Sequence, residues 1–83
     1  MPGQWQTKNN FLEKAFVFKN FKDAINFVRK VAKSADKVNH HPDILIHSYK
    51  QVLIKTRTHE QNKITPKDYE LAELIDKIKK PLA

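Results

Sequence analysis

The spacing of the apolar residues changes from alternating to helical near the start of the chain, and this change constrains the fold more than any other feature. Residues 11–18 are rich in aromatic and β-branched side chains, and the apolar residues Leu12, Phe16 and Phe18 share one parity. Such alternation is typical of a strand with one buried face. Helical spacing then relates Ala24, Ile25, Phe27, Val28, Val31, Ala32 and Ala35. We therefore predict a strand followed by an amphipathic helix over 21–37, with Asn20 as its N-cap and Asp23 as the capping-box acid.

Three further strands are predicted around these two elements. Residues 5–8 form a short partner for the first strand, and the Asn-Asn pair that follows them makes the turn. Residues 43–49 and 51–59 are two strands that a tight turn near Lys50 and Gln51 joins. One face of the last strand carries Val52, Ile54, Thr56 and Thr58, and the more polar face carries Leu53, Lys55, Arg57 and His59.

A second helix is predicted to begin after Thr65. Thr65 is its N-cap, Pro66 suits the first turn, and Asp68 is the acid at the third position. Its apolar stripe consists of Leu71, Ala72, Leu74, Ile75 and Ile78. The order strand-strand-helix, repeated twice, predicts a single α+β domain over 1–83, with a four-stranded antiparallel sheet and two helices packed on one face.

The size and composition of the chain limit what this domain can be. A chain of 83 residues buries only about 60% of the surface that it exposes when unfolded. The predicted sheet also leaves one face and at least one edge uncovered, which favours dimerisation or sheet extension. There are no cysteines, so disulfides and thiolate metal sites are excluded. No apolar run approaches the ~20 residues of a membrane span, and we expect a cytoplasmic protein with no membrane partner.

Three of the four histidines lie in the segment DKVNHHPDILIHSY, residues 36–49, and the fourth is His59. Imidazole titrates near neutrality, so two or three histidines around a small polar ligand would form a proton-transfer site without a cofactor. A nearby carboxylate would fix the tautomer, and the candidates are Asp36, Glu60 and Asp68. Neutral imidazoles and carboxylates also bind zinc, and a turn between helix and strand with no chemistry is the third interpretation. Pro42 disfavours helix at the residue before it, so His40 and His41 lie where helix becomes strand.

The spacing of these residues resembles the signature of the pterin-4a-carbinolamine dehydratases, the family that includes the dimerisation cofactor of hepatocyte nuclear factor. The matching positions are Asp36, His40-His41-Pro42, Tyr49, His59 and Asp68. The resemblance covers residues 5–80 and includes the segments HHPDI, TRTH and ITPKDYELAELIDKI. His47 lies outside the pattern and is interpreted as an ordinary strand residue.

The resemblance implies a cofactor-free, metal-free elimination of water from 4a-hydroxytetrahydropterin, which gives the quinonoid dihydropterin in tetrahydrobiopterin recycling. By position, His40, His41 and His59 are the catalytic set: His40 and His59 form the acid/base pair, and His41 binds and orients the pterin. Asp36 and Asp68 set the orientation and charge of the histidines. The expected substrate-binding residues are Asn39, His40, His41, Thr58, His59 and Glu60. The family also implies a homodimer or a dimer-of-dimers tetramer.

Two other classes of function remain open on the sequence. The same fold could act as a non-catalytic dimerisation or transcriptional cofactor module. The formal charge of +7, from 16 Lys and Arg against 9 Asp and Glu, could also attract nucleic acid. Of these two classes, nucleic-acid binding is the less favoured, because the lysines are scattered and no zinc-finger or glycine-rich RNA-binding signature is present.

Overall fold

The computed structural model describes residues 5–79, and the predicted α+β architecture is confirmed there. The elements in chain order are β1 (Gln6–Lys8), β2 (Phe11–Val17), α1 (Phe21–Val38), β3 (Asp43–His47), β4 (Gln51–Thr56) and α2 (Pro66–Lys79). The strands form one antiparallel sheet in the order β1-β2-β4-β3, and both helices pack on the same face of it. Residues 1–4 and 80–83 of the predicted domain lie outside the described residues.

The two hairpin turns are built from residues with left-handed backbone. Asn9 and Asn10 have φ angles of 52° and 67° between the paired residues Lys8 and Phe11, as the Asn-Asn prediction requires. In the second hairpin, Ser48 and Tyr49 have φ angles of 49° and 52°. The turn predicted near Lys50 and Gln51 is therefore misplaced, because the chain reverses over 48–50. Tyr49 is exposed in this turn and does not pack within a strand.

The start of α1 follows its sequence signal. The side-chain carbonyl of Asn20 accepts a hydrogen bond of 2.8 Å from the amide of Asp23, and Asn20 has extended backbone. This bond satisfies one of the amides that a helix leaves unpaired at its first turn. The predicted N-cap is confirmed, and it fixes where α1 enters the layer above the sheet.

The core lies between the sheet and the two helices. The apolar residues at its centre are Phe16, Phe18, Ala24, Phe27, Val31, Ala35, Val52, Ile54, Leu71 and Ile75. The alternation predicted for β4 is confirmed, because Val52, Ile54, Thr56 and Thr58 are all buried. Thr56 and Thr58 place hydroxyl groups on a face that is otherwise apolar, and the candidate site described below begins at these two residues.

The face of the sheet that turns away from the helices is uncovered in the described chain. Val17 of β2 and Leu45 of β3 are more than half exposed there. The outer edge of β3 pairs with no other described strand. Neither of the two helices within 5–79 has the length and apolar character that crossing a membrane requires.

A polar cluster of three side chains ties the N-terminal end of the described chain to α2. The carboxylate of Asp76 accepts hydrogen bonds of 3.1 Å from the indole N–H of Trp5 and of 2.7 Å from Nζ of Lys14. The side chain of Lys14 is only 12% exposed and its ammonium also lies 5.0 Å from the ring centroid of Phe16. Removal of the carboxylate would leave two donors without an acceptor at the edge of the core.

We expect Asp76→Ala to lower the free energy of unfolding by about 2 kcal/mol, because two donors, one of them charged, lose their acceptor. Urea unfolding followed by circular dichroism measures the change. Glu73→Ala removes the same charge from an exposed position of α2 and should stay within about 0.5 kcal/mol of the wild type. If the free energy of unfolding decreased equally in the two variants, the cluster would contribute no stability.

Candidate active site

The C-terminus of α1 fixes the position of the histidine pair. Asn39 has left-handed backbone, with φ 54° and ψ 44°, and its amide donates to the carbonyl of Asp36 at 3.2 Å. The amide of His40 donates to the carbonyl of Ala35 at 3.1 Å. These two bonds form a Schellman motif, and Asn is among the residues that adopt the left-handed region most readily. His40 therefore leaves the helix in a defined direction, and Pro42 begins the extended chain that leads into β3.

The carboxylate of Asp68 is the centre of the site and is fully buried, with 0% of the residue exposed. It lies in the first turn of α2 and accepts four hydrogen bonds. Oδ1 accepts from Nε2 of His40 and Oγ1 of Thr56, both at 2.6 Å, whereas Oδ2 accepts from Oγ1 of Thr58 at 3.0 Å and from the amide of Thr65 at 2.8 Å. These donors fill the acceptor capacity of an ionised carboxylate.

One of these bonds is also the helix cap that the sequence predicts. Asp68 supplies the returning half of a capping box, because its carboxylate accepts from the amide of Thr65. The hydroxyl of Thr65 is paired with the hydroxyl of Thr58. Since the single proton of Thr58 goes to Asp68, Thr65 is the donor in that pair. The cap and the candidate site therefore share one carboxylate.

The same contacts set the charge of Asp68. Burial is the largest single influence and by itself raises the pKa of the carboxyl group. The four hydrogen bonds act in the opposite direction, that from Thr56 most strongly, and together they hold the pKa of Asp68 below its ordinary value of 3.8. At neutral pH Asp68 is therefore an anion inside the protein.

The anion determines the tautomer of His40. An ionised carboxylate can only accept hydrogen bonds, so Nε2 of His40 carries a proton and donates it to Asp68. In the neutral ring Nδ1 is then the unprotonated nitrogen, free to accept a proton. The side chain of His40 is 11% exposed, and the residue lines the cleft described below. The imidazole of His40 is therefore hydrogen-bonded to a buried carboxylate and also accessible to a ligand in the cleft.

His41 forms a second carboxylate pair of different character. Its Nε2 lies 2.8 Å from Oδ1 of Asp36, one of the two acids predicted to support the histidines. The two side chains are 59% and 77% exposed. Solvent screens such a pair, so it contributes little to stability and leaves the imidazole able to reorient.

His59 lies on a loop beyond the end of β4, not on the strand that the sequence predicts. β4 ends at Thr56, and the chain then closes a turn through the bridge between Thr58 and Lys63. The amide of Asn62 donates to the carbonyl of His59 at 3.2 Å, and Asn62 has a left-handed φ of 56°. The imidazole of His59 is exposed on this turn.

A cleft of about 320 Å³ brings most of the predicted residues together, and this volume is within the range of small-molecule sites. It is lined by Asn39, His40, His41, Pro42, Asp43, His59 and Glu60. All three histidines of the predicted catalytic set are present. Of the predicted substrate-binding residues, Thr58 is missing from the lining, because its hydroxyl is buried against Asp68.

The membership of the site differs from the sequence pattern in two ways. One histidine lies outside the site, and three residues that were not predicted belong to it. His47 is exposed at the far end of β3 and does not line the cleft. Thr56, Pro42 and Asp43 contribute to the site without having been predicted to do so. For Thr56 a signal was present, since a hydroxyl in the buried register of β4 needs a polar partner.

The chemistry in this cleft distinguishes it from a larger hollow on α1. That hollow, of about 470 Å³, is lined by Asn26, Arg29, Lys30 and Lys33, and so by no histidine and no carboxylate. Within residues 5–79, no three His, Cys, Asp or Glu side chains are grouped so that they could hold a metal ion. Imidazole side chains grouped around a cleft are a chemistry suited to proton transfer.

Comparison of the sequence with known proteins finds one family repeatedly. Residues 1–78 match the family model described as pterin 4 alpha carbinolamine dehydratase. A protein of Sulfolobus acidocaldarius, which carries that enzyme name provisionally, is 45% identical over 74 residues, or 89% of this chain and 80% of the relative. A Picosynechococcus protein with the same provisional name is 40% identical over 90% of this chain and 80% of the relative.

Two solved structures share the fold. A transcriptional coactivator/pterin dehydratase from Brucella melitensis has a TM-score of 0.80 and 29% identity, over 90% of this chain and 79% of that one. A pterin dehydratase-like protein identified as a RuBisCO assembly factor in the alpha-carboxysome has a TM-score of 0.72 and 19% identity, over 94% of this chain and 89% of that one. The second similarity concerns the fold alone.

The pKa of Asp68 predicts how stability depends on pH. A carboxyl group whose pKa is lower in the folded protein than in the unfolded chain, where it is about 3.9, adds stability above that value. This contribution is lost as the pH falls through the folded pKa. We therefore expect the free energy of unfolding to decrease below about pH 4 and to decrease less steeply in Asp68→Asn.

Urea unfolding between pH 2 and pH 7 measures both curves. Carbon-13 NMR titration of the carboxyl group in the wild-type protein is an independent check that needs no variant, and its midpoint for Asp68 should lie below 3.8. A midpoint above this value would mean that burial outweighs the four hydrogen bonds.

Proposed function

The chain belongs to the pterin-4-alpha-carbinolamine dehydratase family, and on this premise we propose that it removes water from 4a-hydroxytetrahydropterin to give the quinonoid dihydropterin. The observation that carries the proposal is the shared cleft of His40 and His59, in which a buried carboxylate holds His40. The proposed substrate is a reduced pterin, and the proposed role is tetrahydrobiopterin recycling.

The proposed reaction needs two proton transfers and no change of oxidation state. A base takes the proton from the ring nitrogen next to the carbon that bears the hydroxyl group, and an acid protonates that hydroxyl. The carbon–oxygen bond breaks, a carbon–nitrogen double bond forms, and water leaves. Two imidazoles supply both steps, so the proposal includes no cofactor.

His40 and His59 have different surroundings, and this difference is the reason for proposing one as the base and the other as the acid. His40 is the proposed base, through Nδ1, because the anion of Asp68 stabilises the imidazolium that forms when the proton is taken. His59 is the proposed acid, because it is exposed and regains its proton from water after each turnover. His41, paired with the exposed carboxylate of Asp36, is the residue proposed to bind and orient the pterin. Asn39 and Glu60 complete the ligand-binding side of the cleft.

We expect His40→Ala and His59→Ala each to lower the protein-dependent rate of quinonoid dihydropterin formation by about 10²–10⁴-fold, the usual contribution of a general acid or base. His47→Ala is the matched control and should keep the wild-type rate, because His47 lies outside the cleft. Absorbance of the product measures the rate, with the spontaneous reaction subtracted.

The same assay separates the proposal from its alternatives. Rates that are unchanged in both cleft variants would remove the histidines from the mechanism. Loss of activity after treatment with EDTA, with recovery on addition of zinc, would replace the proton-transfer proposal with a metal site.

The proposal also includes a homodimer or a dimer of dimers. Support comes from the small core, from the sheet face bearing Val17 and Leu45, which residues 5–79 leave uncovered, and from the outer edge of β3, which pairs with no strand in that range. A second copy is the simplest partner for a sheet edge. Sedimentation at micromolar concentration should therefore show a species of two or four times 9.8 kDa. A species of 9.8 kDa alone would contradict this part of the proposal.

A binding role without catalysis is the second candidate, and the uncovered sheet face favours it. The solved Brucella relative is described both as a transcriptional coactivator and as a pterin dehydratase, so the two roles are named together for that protein. Absence of pterin turnover in the wild-type oligomer would favour this candidate.

A further inference from the structure

One side chain in the site is buried, polar and without a role in the proposed proton transfers. Thr56 is the last residue of β4, is 1% exposed and points toward the helices in register with Val52 and Ile54. Its hydroxyl donates to Oδ1 of Asp68 at 2.6 Å. Oδ1 is also the oxygen that accepts from Nε2 of His40.

This shared oxygen distinguishes Thr56 from the other donors. Thr58, in the loop after β4, and the amide of Thr65, before α2, donate to the opposite oxygen, Oδ2. Among residues 5–79, only Thr56 joins His40 in donating to Oδ1. With Thr56 in place, one lone-pair direction of Oδ1 is occupied and the other is left for the histidine. The direction from which Nε2 can approach is therefore fixed by β4.

The hydroxyl also controls where the proton lies between Asp68 and His40. A carboxylate that already accepts several hydrogen bonds has a lower affinity for a proton. The proton shared with Nε2 then stays on the imidazole, including when Nδ1 gains a second proton. Without the hydroxyl, Oδ1 is a better proton acceptor and the ring is less firmly oriented.

We propose that Thr56 is a positioning residue, which acts through Asp68 to keep His40 in the tautomer with Nε2 protonated and to direct Nδ1 into the cleft. Its kinetic consequence rests on the proposed dehydratase function, whereas its effect on the tautomer does not. If Thr56 only filled space in the core, loss of its hydroxyl would leave the tautomer of His40 unchanged. The tautomer of His40 therefore distinguishes the proposal from a purely structural role for Thr56.

Thr56→Val tests the proposal, because valine keeps the shape of the side chain and removes the donor. In protein labelled with nitrogen-15 in histidine, the wild-type His40 should show the shifts of a protonated Nε2 and an unprotonated Nδ1. In Thr56→Val the shifts should move toward the average of the two tautomers. In the pterin assay kcat should fall about tenfold, with KM changed less than threefold, since binding of the ligand does not involve Thr56.

Two further variants complete the test. Thr56→Ser retains the hydroxyl and should restore both the wild-type shifts and kcat to within twofold. Thr7→Val makes the same substitution at an exposed position of β1 and should change neither quantity. If Thr56→Val does not fold, Thr56→Cys replaces it, and its weaker donor should give changes intermediate between the serine and valine variants.

The outcomes are distinguishable. Wild-type shifts and kcat in a folded Thr56→Val protein would overturn the proposal, as would a Thr56→Ser protein that recovers neither. A wild-type protein that turns over no pterin would instead overturn the proposed function, and the nitrogen shifts would still decide the role of Thr56.

Discussion

The buried carboxylate of Asp68 is the interaction on which both the fold and the candidate site depend. An unpaired anion inside a protein is strongly unfavourable, so its donors must be supplied by the surrounding structure. Here the donors come from the end of β4 and the loop after it, the residue before α2 and the second residue after α1. Asp68 can therefore stay charged only when both helices pack correctly on the sheet. The orientation and tautomer of His40 are in turn fixed only when Asp68 is charged.

Local signals explain why so much of the fold could be predicted from the sequence. The period of the apolar residues distinguishes β2 from α1, and Asn20 marks the helix start with a bond between neighbours in sequence. The Asn-Asn turn of the first hairpin is equally local. The second hairpin was misplaced because Ser48 and Tyr49 are not residues that usually take left-handed backbone, so no sequence signal marked the turn.

The site was predictable only in part, and for a related reason. Family resemblance predicted the three histidines and both acids, and the structure pairs His40 with Asp68 and His41 with Asp36. Three of the four donors to Asp68 lie 10 to 28 positions away from it, and such contacts leave no periodicity in the sequence. Thr58 was consequently expected in the ligand pocket, although its hydroxyl belongs to the carboxylate.

The two carboxylate–histidine pairs differ most in their exposure to solvent, and this difference supports the different roles proposed for their histidines. Asp68 and His40 interact where water is excluded, so the electrostatic effect on the ring is strong and its orientation is fixed. Asp36 and His41 interact in water, where the attraction is screened and the ring can follow a ligand. A proton transfer needs a fixed nitrogen, whereas capture of a small molecule tolerates an adaptable one. The adjacent histidines can therefore share a helix end without sharing a function, because one turns toward the core and the other toward solvent.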